Sequence, residues 1–243
     1  MSRQSILTAN GTLPRYLGTR MARRARRVIY AGTEAARARR HGVVLGPENF
    51  CYRPRQKWSV VVDVGIGRGP TFAPWIQHET DAFVVLCDPT PRHLPLLRDW
   101  VSAHPGTDLF EAAVASVDGP VSFFESDEEE SGSLDATHAN RRTSGREVVV
   151  EGFSLETLLT RAARHGDVSL VKLDLEGAEF VALAPSARTM DVICQVPQWL
   201  VEFHPAPQTL NSLAAVGRIA GLFSKAGYRS FSRNGTDGLF YRD

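Results

Sequence analysis

The stretch SVVVDVGIGRG, residues Ser59–Gly69, decides the fold. Its first six residues are apolar except for Ser59 and Asp63. A short continuous apolar run of this kind reads as a strand buried on both faces, the pattern of a parallel sheet covered by helices. Three glycines follow, at 65, 67 and 69. Glycine admits backbone conformations closed to other residues and lets a ligand come close to the main chain. A helix expected around Phe72–Gln77 would turn its free N–H groups and the positive end of its dipole toward an anion. In open sheets of this type, ligands bind beyond the carboxyl ends of the strands.

Working outward, the same alternation continues. Phe83–Cys87 is a second buried strand and ends at Asp88-Pro89. Pro91–Ala103 reads as a helix, Leu109–Val114 as a third strand and Val121–Phe124 as a fourth. The polar stretch 125–147 is long for a connection in a compact domain and reads as a mobile lid. Val148–Val150 resumes a strand. Ser154 is placed to cap a helix over Leu155–His165. Leu170–Leu173 is a strand, Phe180–Leu183 is helical and Trp199–Phe203 is a strand. Leu210–Ala226 is an amphipathic helix, and Tyr228–Asp243 is a hairpin around Asn234-Gly235. The pattern predicts an α/β fold with a mostly parallel central sheet, an antiparallel closing strand and helices on both faces.

Hydrophobic residues make up 43% of the 243 residues and charged residues 23%, an ordinary globular composition. It excludes collagen-like and wholly disordered chains. No uncharged apolar run reaches the roughly 18 residues of a membrane span. Cys51, Cys87 and Cys194 are too few and too scattered for a disulfide framework or a zinc cluster. The chain starts without a secretory signal, which makes the cytoplasm the expected compartment. The net charge of +1 conceals an asymmetry. Residues 1–42 hold ten arginines against one acid, Glu34, and the rest holds 18 basic and 26 acidic residues. This divides the chain into a basic helical extension, 1–57, with Met21–Arg40 as its helix, and an acidic body, 58–243. The arginines could meet an anionic surface. The acidic body, which nowhere interleaves aromatic with basic residues, argues against a nucleic-acid partner.

The glycine turn itself narrows the ligand. A dinucleotide fingerprint built on Gly65 and Gly67 would need Gly or Ala at position 70, which is Pro70, and no Gly-Lys-Ser/Thr is present. An acid at Asp63 ahead of three alternating glycines fits instead a turn for S-adenosyl-L-methionine (SAM). Asp88, at the tip of the second strand, is placed to accept hydrogen bonds from both ribose hydroxyls. A second motif, VKLDLEGAE at Val171–Glu179, puts Asp174 at a strand tip and Glu176 and Glu179 in the turn beyond it, a costly grouping for packing alone. Lys172 and Asp174 share a face, where Lys172 reads as a structural ion pair. Asp174, Glu176, Glu202 and His204 are then the polar groups above the strand tips. His204 is a candidate general base, as is Asp174 if neighbouring acids raise its pKa. Asp174, Glu202 and His204 could also hold a divalent cation such as Mg²⁺.

The chain resembles the FkbM family of SAM-dependent methyltransferases. The resemblance covers roughly Ser59–His204 and rests on VVVDVGIGRG, CDPTP, EAAVAS, SLETLL, VKLDLEGAEF and VEFH. It implies a Rossmann-like class I methyltransferase fold and O-methylation of a hydroxyl on a sugar, glycan or natural-product acceptor. The implied cofactor set is Asp63, Gly65, Gly67, Gly69 and Asp88, with Glu111 and Ala112 from EAAVAS. The competing expectations are an RNA methyltransferase and a SAM-binding scaffold without catalysis.

Overall fold

The computed structural model describes residues 32–126, 132–134, 146–204, 210–233 and 237–243, excepting the side chains of 210–213. Residues 32–41 form helix α1. Strands β1 (Val44–Leu45), β2 (Cys51–Tyr52) and β3 (Val60–Val64) lead to α2 (Phe72–Thr80), β4 (Phe83–Cys87) and α3 (Leu94–Ala103). Then come β5 (Thr107–Phe110), β6 (Ala113–Val114), β7 (Gly119–Glu125) and β8 (Gly132–Ser133). The second half runs β9 (Arg146–Phe153), α4 (Leu155–Ala162), β10 (Val168–Asp174), α5 (Glu179–Ala182), α6 (Ala187–Ile193) and β11 (Gln198–Glu202). It closes with α7 (Leu210–Lys225), β12 (Arg229–Ser232) and β13 (Asp237–Tyr241). No described helix is long and apolar enough to cross a membrane.

Seven strands form the main sheet in the order β12-β13-β11-β10-β3-β4-β5. β11, β10, β3, β4 and β5 are parallel, and β13 lies antiparallel between β11 and β12. This is the Rossmann-like class I methyltransferase arrangement, with its antiparallel closing strand. β3 has a partner on each side and helices over each face. Val60, Val62 and Val64 therefore enter one core cluster and Val61 the other, so the run has to be apolar throughout. Ser154 caps α4 as expected, its Oγ accepting from the Thr157 amide.

Two features depart from the sequence reading. Leu109–Val114 is two strands in two sheets: β5 edges the main sheet, while β6 pairs with β9 in a separate sheet of order β6-β9-β7-β8. The chain turns at Glu111–Ala112, where the Ala112 amide bonds back to the Phe110 carbonyl, and apolarity on both sides of the turn hid the break. Helix α6 was not anticipated, although Ser186 caps it through the Thr189 amide. The lid expected over 125–147 falls largely on residues 127–131 and 135–145, outside the described residues. Between them β8 pairs with Phe124 and Glu125. The turn Asn234-Gly235 and most of the helix expected over Met21–Arg40 likewise lie outside the described residues.

The boundary read at residue 57 does not coincide with a break in packing. Phe50, Cys51 and Tyr52 are buried in the same cluster as Val61, Val84, Leu200 and Tyr241. Phe50 lies edge-on to Phe72 and stacks on Trp75. Glu34 of α1 pairs with Arg233 at 2.5 Å, and Arg233 Nη1 donates to the Gly46 and Phe50 carbonyls. Phe50→Ala is therefore expected to lower the unfolding free energy by about 3–5 kcal/mol, the usual cost of a phenylalanine-sized cavity. Chemical denaturation measures it. An unchanged midpoint would mean that the hairpin does not share the core.

Candidate active site

The glycine turn joins β3 to α2 at the carboxyl end of the sheet. Gly65 and Gly67 have φ of 78° and 67°. At Gly65 a Cβ would sit 2.9 Å from the Asp174 carbonyl carbon and closer still to its oxygen, so β10 can approach only a glycine there. Gly69 has neither constraint. Asp88, 2% exposed, holds the turn in place. Its Oδ2 accepts from the amides of Ile66 at 2.9 Å and Gly67 at 3.1 Å, and its Oδ1 accepts from Thr90 at 2.8 Å. The buried His93 lies behind it, Nδ1 4.0 Å from Oδ1, with burial holding the imidazole below its ordinary pKa.

In front of the turn is a cavity of about 330 Å³. Gly65–Gly69 form one wall, Asp88–Thr90 and Ala112–Val114 another, and Asp174–Glu176 the far end. Phe123, Gly132 and Leu134 of the second sheet line it as well. Ser133 ties that sheet to the site by donating to the Glu176 carbonyl at 2.8 Å. Gly65, Gly67, Gly69, Asp88 and Ala112 thus come together around one space. Asp63 and Glu111 do not line it. Asp63 is buried on β3, with Oδ1 3.6 Å from Lys172 Nζ. Burial pushes its carboxyl up to about 6, against the pull of Lys172. Glu111 points away and makes a two-pronged bond to Arg98, which holds its carboxyl below the usual range.

At the far end the parallel register sets Asp174 of β10 beside Glu202 of β11. Lys172 lies 3.2 Å from Asp174 Oδ2 and donates to the Gly65 carbonyl at 3.4 Å. Burial works against its charge, yet Asp63 and Asp174 outweigh that and hold its pKa above the ordinary lysine value. His204 Nε2 lies 3.6 Å from Glu202, 3.8 Å from Asp174 and 3.9 Å from Glu176. Its Nδ1 is 3.5 Å from Glu179 Oε1. Glu179 is fully buried and accepts from the backbone amides of Gly177 and His204. Glu176, at φ 48°, stands in the turn before α5 rather than on the helix, so the two glutamates do not stack as like charges.

These surroundings fix the titration order. Burial lowers the basicity of His204, but Glu179, Glu176 and Asp174 more than compensate and raise it to about 9. The imidazole is therefore a cation at neutral pH and has no lone pair with which to take a proton. Glu202 moves the other way: burial and then the Asp174 charge raise its carboxyl to about 7, where a general base works best. Ligand atoms of Asp174, Glu202 and His204 lie within 4.8 Å of one another, the set that could hold a divalent cation. The fit to Mg²⁺ is poor. Mg²⁺ prefers oxygen and water, His204 would first have to lose its proton, and the Lys172 ammonium already occupies one side of Asp174.

Sequence reasoning quoted Glu179 but gave it no role. Its signal was the Gly-Ala-Glu run, in which a carboxylate turns inward to hold a histidine far along the chain. Glu48 also lines the cavity, and nothing in its sequence context marked it.

The family description "Methyltransferase FkbM domain" matches residues 63–230. No curated protein sequence matches the chain. Similar solved structures include the Methanococcus jannaschii fibrillarin pre-rRNA processing protein, at 9% identity over 78% of this chain and 67% of that chain, TM-score 0.43. The precorrin-6y C5,15-methyltransferase of Geobacter metallireducens is 11% identical over 76% and 79%, TM-score 0.39. The bifunctional kinase-methyltransferase WbdD is 13% identical over 89% of this chain, TM-score 0.40, and the match spans only 38% of its length.

Proposed function

The chain belongs to the FkbM methyltransferase family, and from that premise we propose that it methylates a hydroxyl of a sugar, glycan or natural-product acceptor. The observation that carries this reading is a glycine-turn cavity that reaches Asp174, whose register partner on the neighbouring strand is Glu202. The turn fits SAM. Its backbone is open where a Cβ would collide, and the Asp88 carboxylate, with about four lone-pair sites, keeps acceptor capacity for ribose hydroxyls beyond its three amide bonds. Ala112, Ala113 and Val114 offer an apolar wall for a base. Bound there, SAM supplies a methyl carbon already activated by its sulfonium.

The protein's own task is to orient the acceptor and remove its proton. In this reading Glu202 accepts that proton, being the carboxyl raised to about 7. Asp174 stands between Lys172 at 3.2 Å and His204 at 3.8 Å. Cationic His204 balances the carboxylates on either side of it and holds their spacing. A methyl-transfer assay over monosaccharides, glycan fragments and macrolide polyols tests the proposal. Transfer to nitrogen or carbon alone would refute it. Because two protein cations already serve the cluster, activity is expected to survive EDTA. Loss in EDTA with recovery in Mg²⁺ would instead make Asp174, Glu202 and His204 metal ligands.

A further inference from the structure

A second, smaller cavity of about 120 Å³ is lined by Lys172 and Glu202, and Glu48 lines both cavities. Glu48 sits in the turn of the β1–β2 hairpin at φ 51°, in the left-handed region that a non-glycine residue seldom adopts. The hairpin is fixed from below: Phe50 is in the core, and Arg233 ties the Gly46 and Phe50 carbonyls. The cofactor cavity extends from Glu48 toward Asp88. The smaller one shares only Glu48 with it and is lined by Glu202 and Asp237, with none of the Asp88–Thr90 or Ala112–Val114 wall.

We infer that Glu48 is an acceptor-selecting residue, and that the chamber it forms with Glu202 and Asp237 admits neutral polyols while rejecting phosphorylated or carboxylated ones. Three of its walls are carboxylates, which accept hydrogen bonds and repel anions. Among the described residues that line it, the ammonium, Lys172, is held by Asp63 at 3.6 Å and Asp174 at 3.2 Å, so little positive charge is left there to receive an anion. Glu202 and Asp237 also stand directly opposite each other on β11 and β13. Like charges in that register oppose sheet pairing, a cost that selection against anionic acceptors accounts for. Phe50 and Leu200 supply the apolar side against which a ring can lie.

The inference rests on the hydroxyl-methylation reading, whose own failure shows separately as a protein that binds SAM and methylates no polyol. The test takes the neutral polyol turned over fastest in the panel above, with its phosphorylated and carboxylated counterparts. The neutral compound should exceed both in kcat/KM by at least about tenfold, the equivalent of one like-charge contact. Glu48→Gly suits the local backbone and removes the side chain with its carboxylate. It should raise the acceptor KM about fivefold or more and narrow the discrimination, a larger change than any in the Kd for SAM, with Glu48→Asp partly restoring both. A wild-type enzyme that takes anionic and neutral acceptors equally would overturn the inference. So would a Glu48→Gly enzyme that loses SAM affinity while its acceptor KM stays put, since Glu48 would then be a cofactor contact.

Discussion

Glu202→Gln and Asp174→Asn should each lower kcat by roughly 10²–10⁴, the range for a lost general base, while the Kd for SAM moves by less than about threefold. Both changes keep shape and hydrogen bonding and remove charge. Glu202 is expected to suffer because it accepts the proton, and Asp174 because its charge holds Lys172 and His204 in place and raises Glu202. The pH profile separates the possible bases. Glu202 works deprotonated, so kcat should fall as pH drops through about 7. A base role for His204 would move that limb to about 9. In Asp174→Asn the limb should shift downward, because the neighbouring negative charge that helped raise Glu202 is gone. Wild-type turnover by both variants on a true acceptor would remove the pair from the chemistry.

Gly65→Ala should abolish SAM binding. The position needs φ near 78°, a left-handed conformation costing an L-residue roughly 1–2 kcal/mol. The added methyl group would also run into the Asp174 carbonyl. Either the turn or the tip of β10 must move, and with it the cavity wall. Gly69→Ala is the matched control: nothing lies within 4 Å of its Cβ direction and its φ is not positive, so affinity should stay within about twofold. Calorimetry on proteins with intact thermal unfolding reads both. A Gly65→Ala protein that binds SAM normally would detach the cofactor from this turn.

The strands that run through the middle of the sheet were readable because burial on both faces leaves a continuous apolar signature, as in Val60–Val62 and Phe83–Cys87. The split of Leu109–Val114 was not, because hydrophobicity records that a residue is buried and not which sheet buries it. Within the site, residues on the strand tips and the glycine turn could be named in advance, since local spacing sets them. Asp63 and Glu111 show the limit: each lies next to cavity-lining residues in sequence, and strand parity or a chain turn sends its side chain elsewhere. Glu48 and Asp237 come from elements whose local sequence is unremarkable, and only the tertiary fold sets them beside Glu202. The titration of His204 was not legible for the same reason. Its basicity is raised by Glu179, Glu176 and Asp174, which the fold brings against it.

The insertion of β13 between β11 and β12 has a consequence for when the protein becomes competent during synthesis. The glycine turn, Asp88 and Ala112 are all translated in the first half of the chain. The wall carrying Asp237 exists only once β13 has slid in beside β11, and the clasp from Glu34 to Arg233 joins residues 199 positions apart. Contacts of such long range form late and slowly. A growing polypeptide would therefore have the glycine turn and Asp88 before it had Asp174–Glu176, and the wall carrying Asp237 last of all.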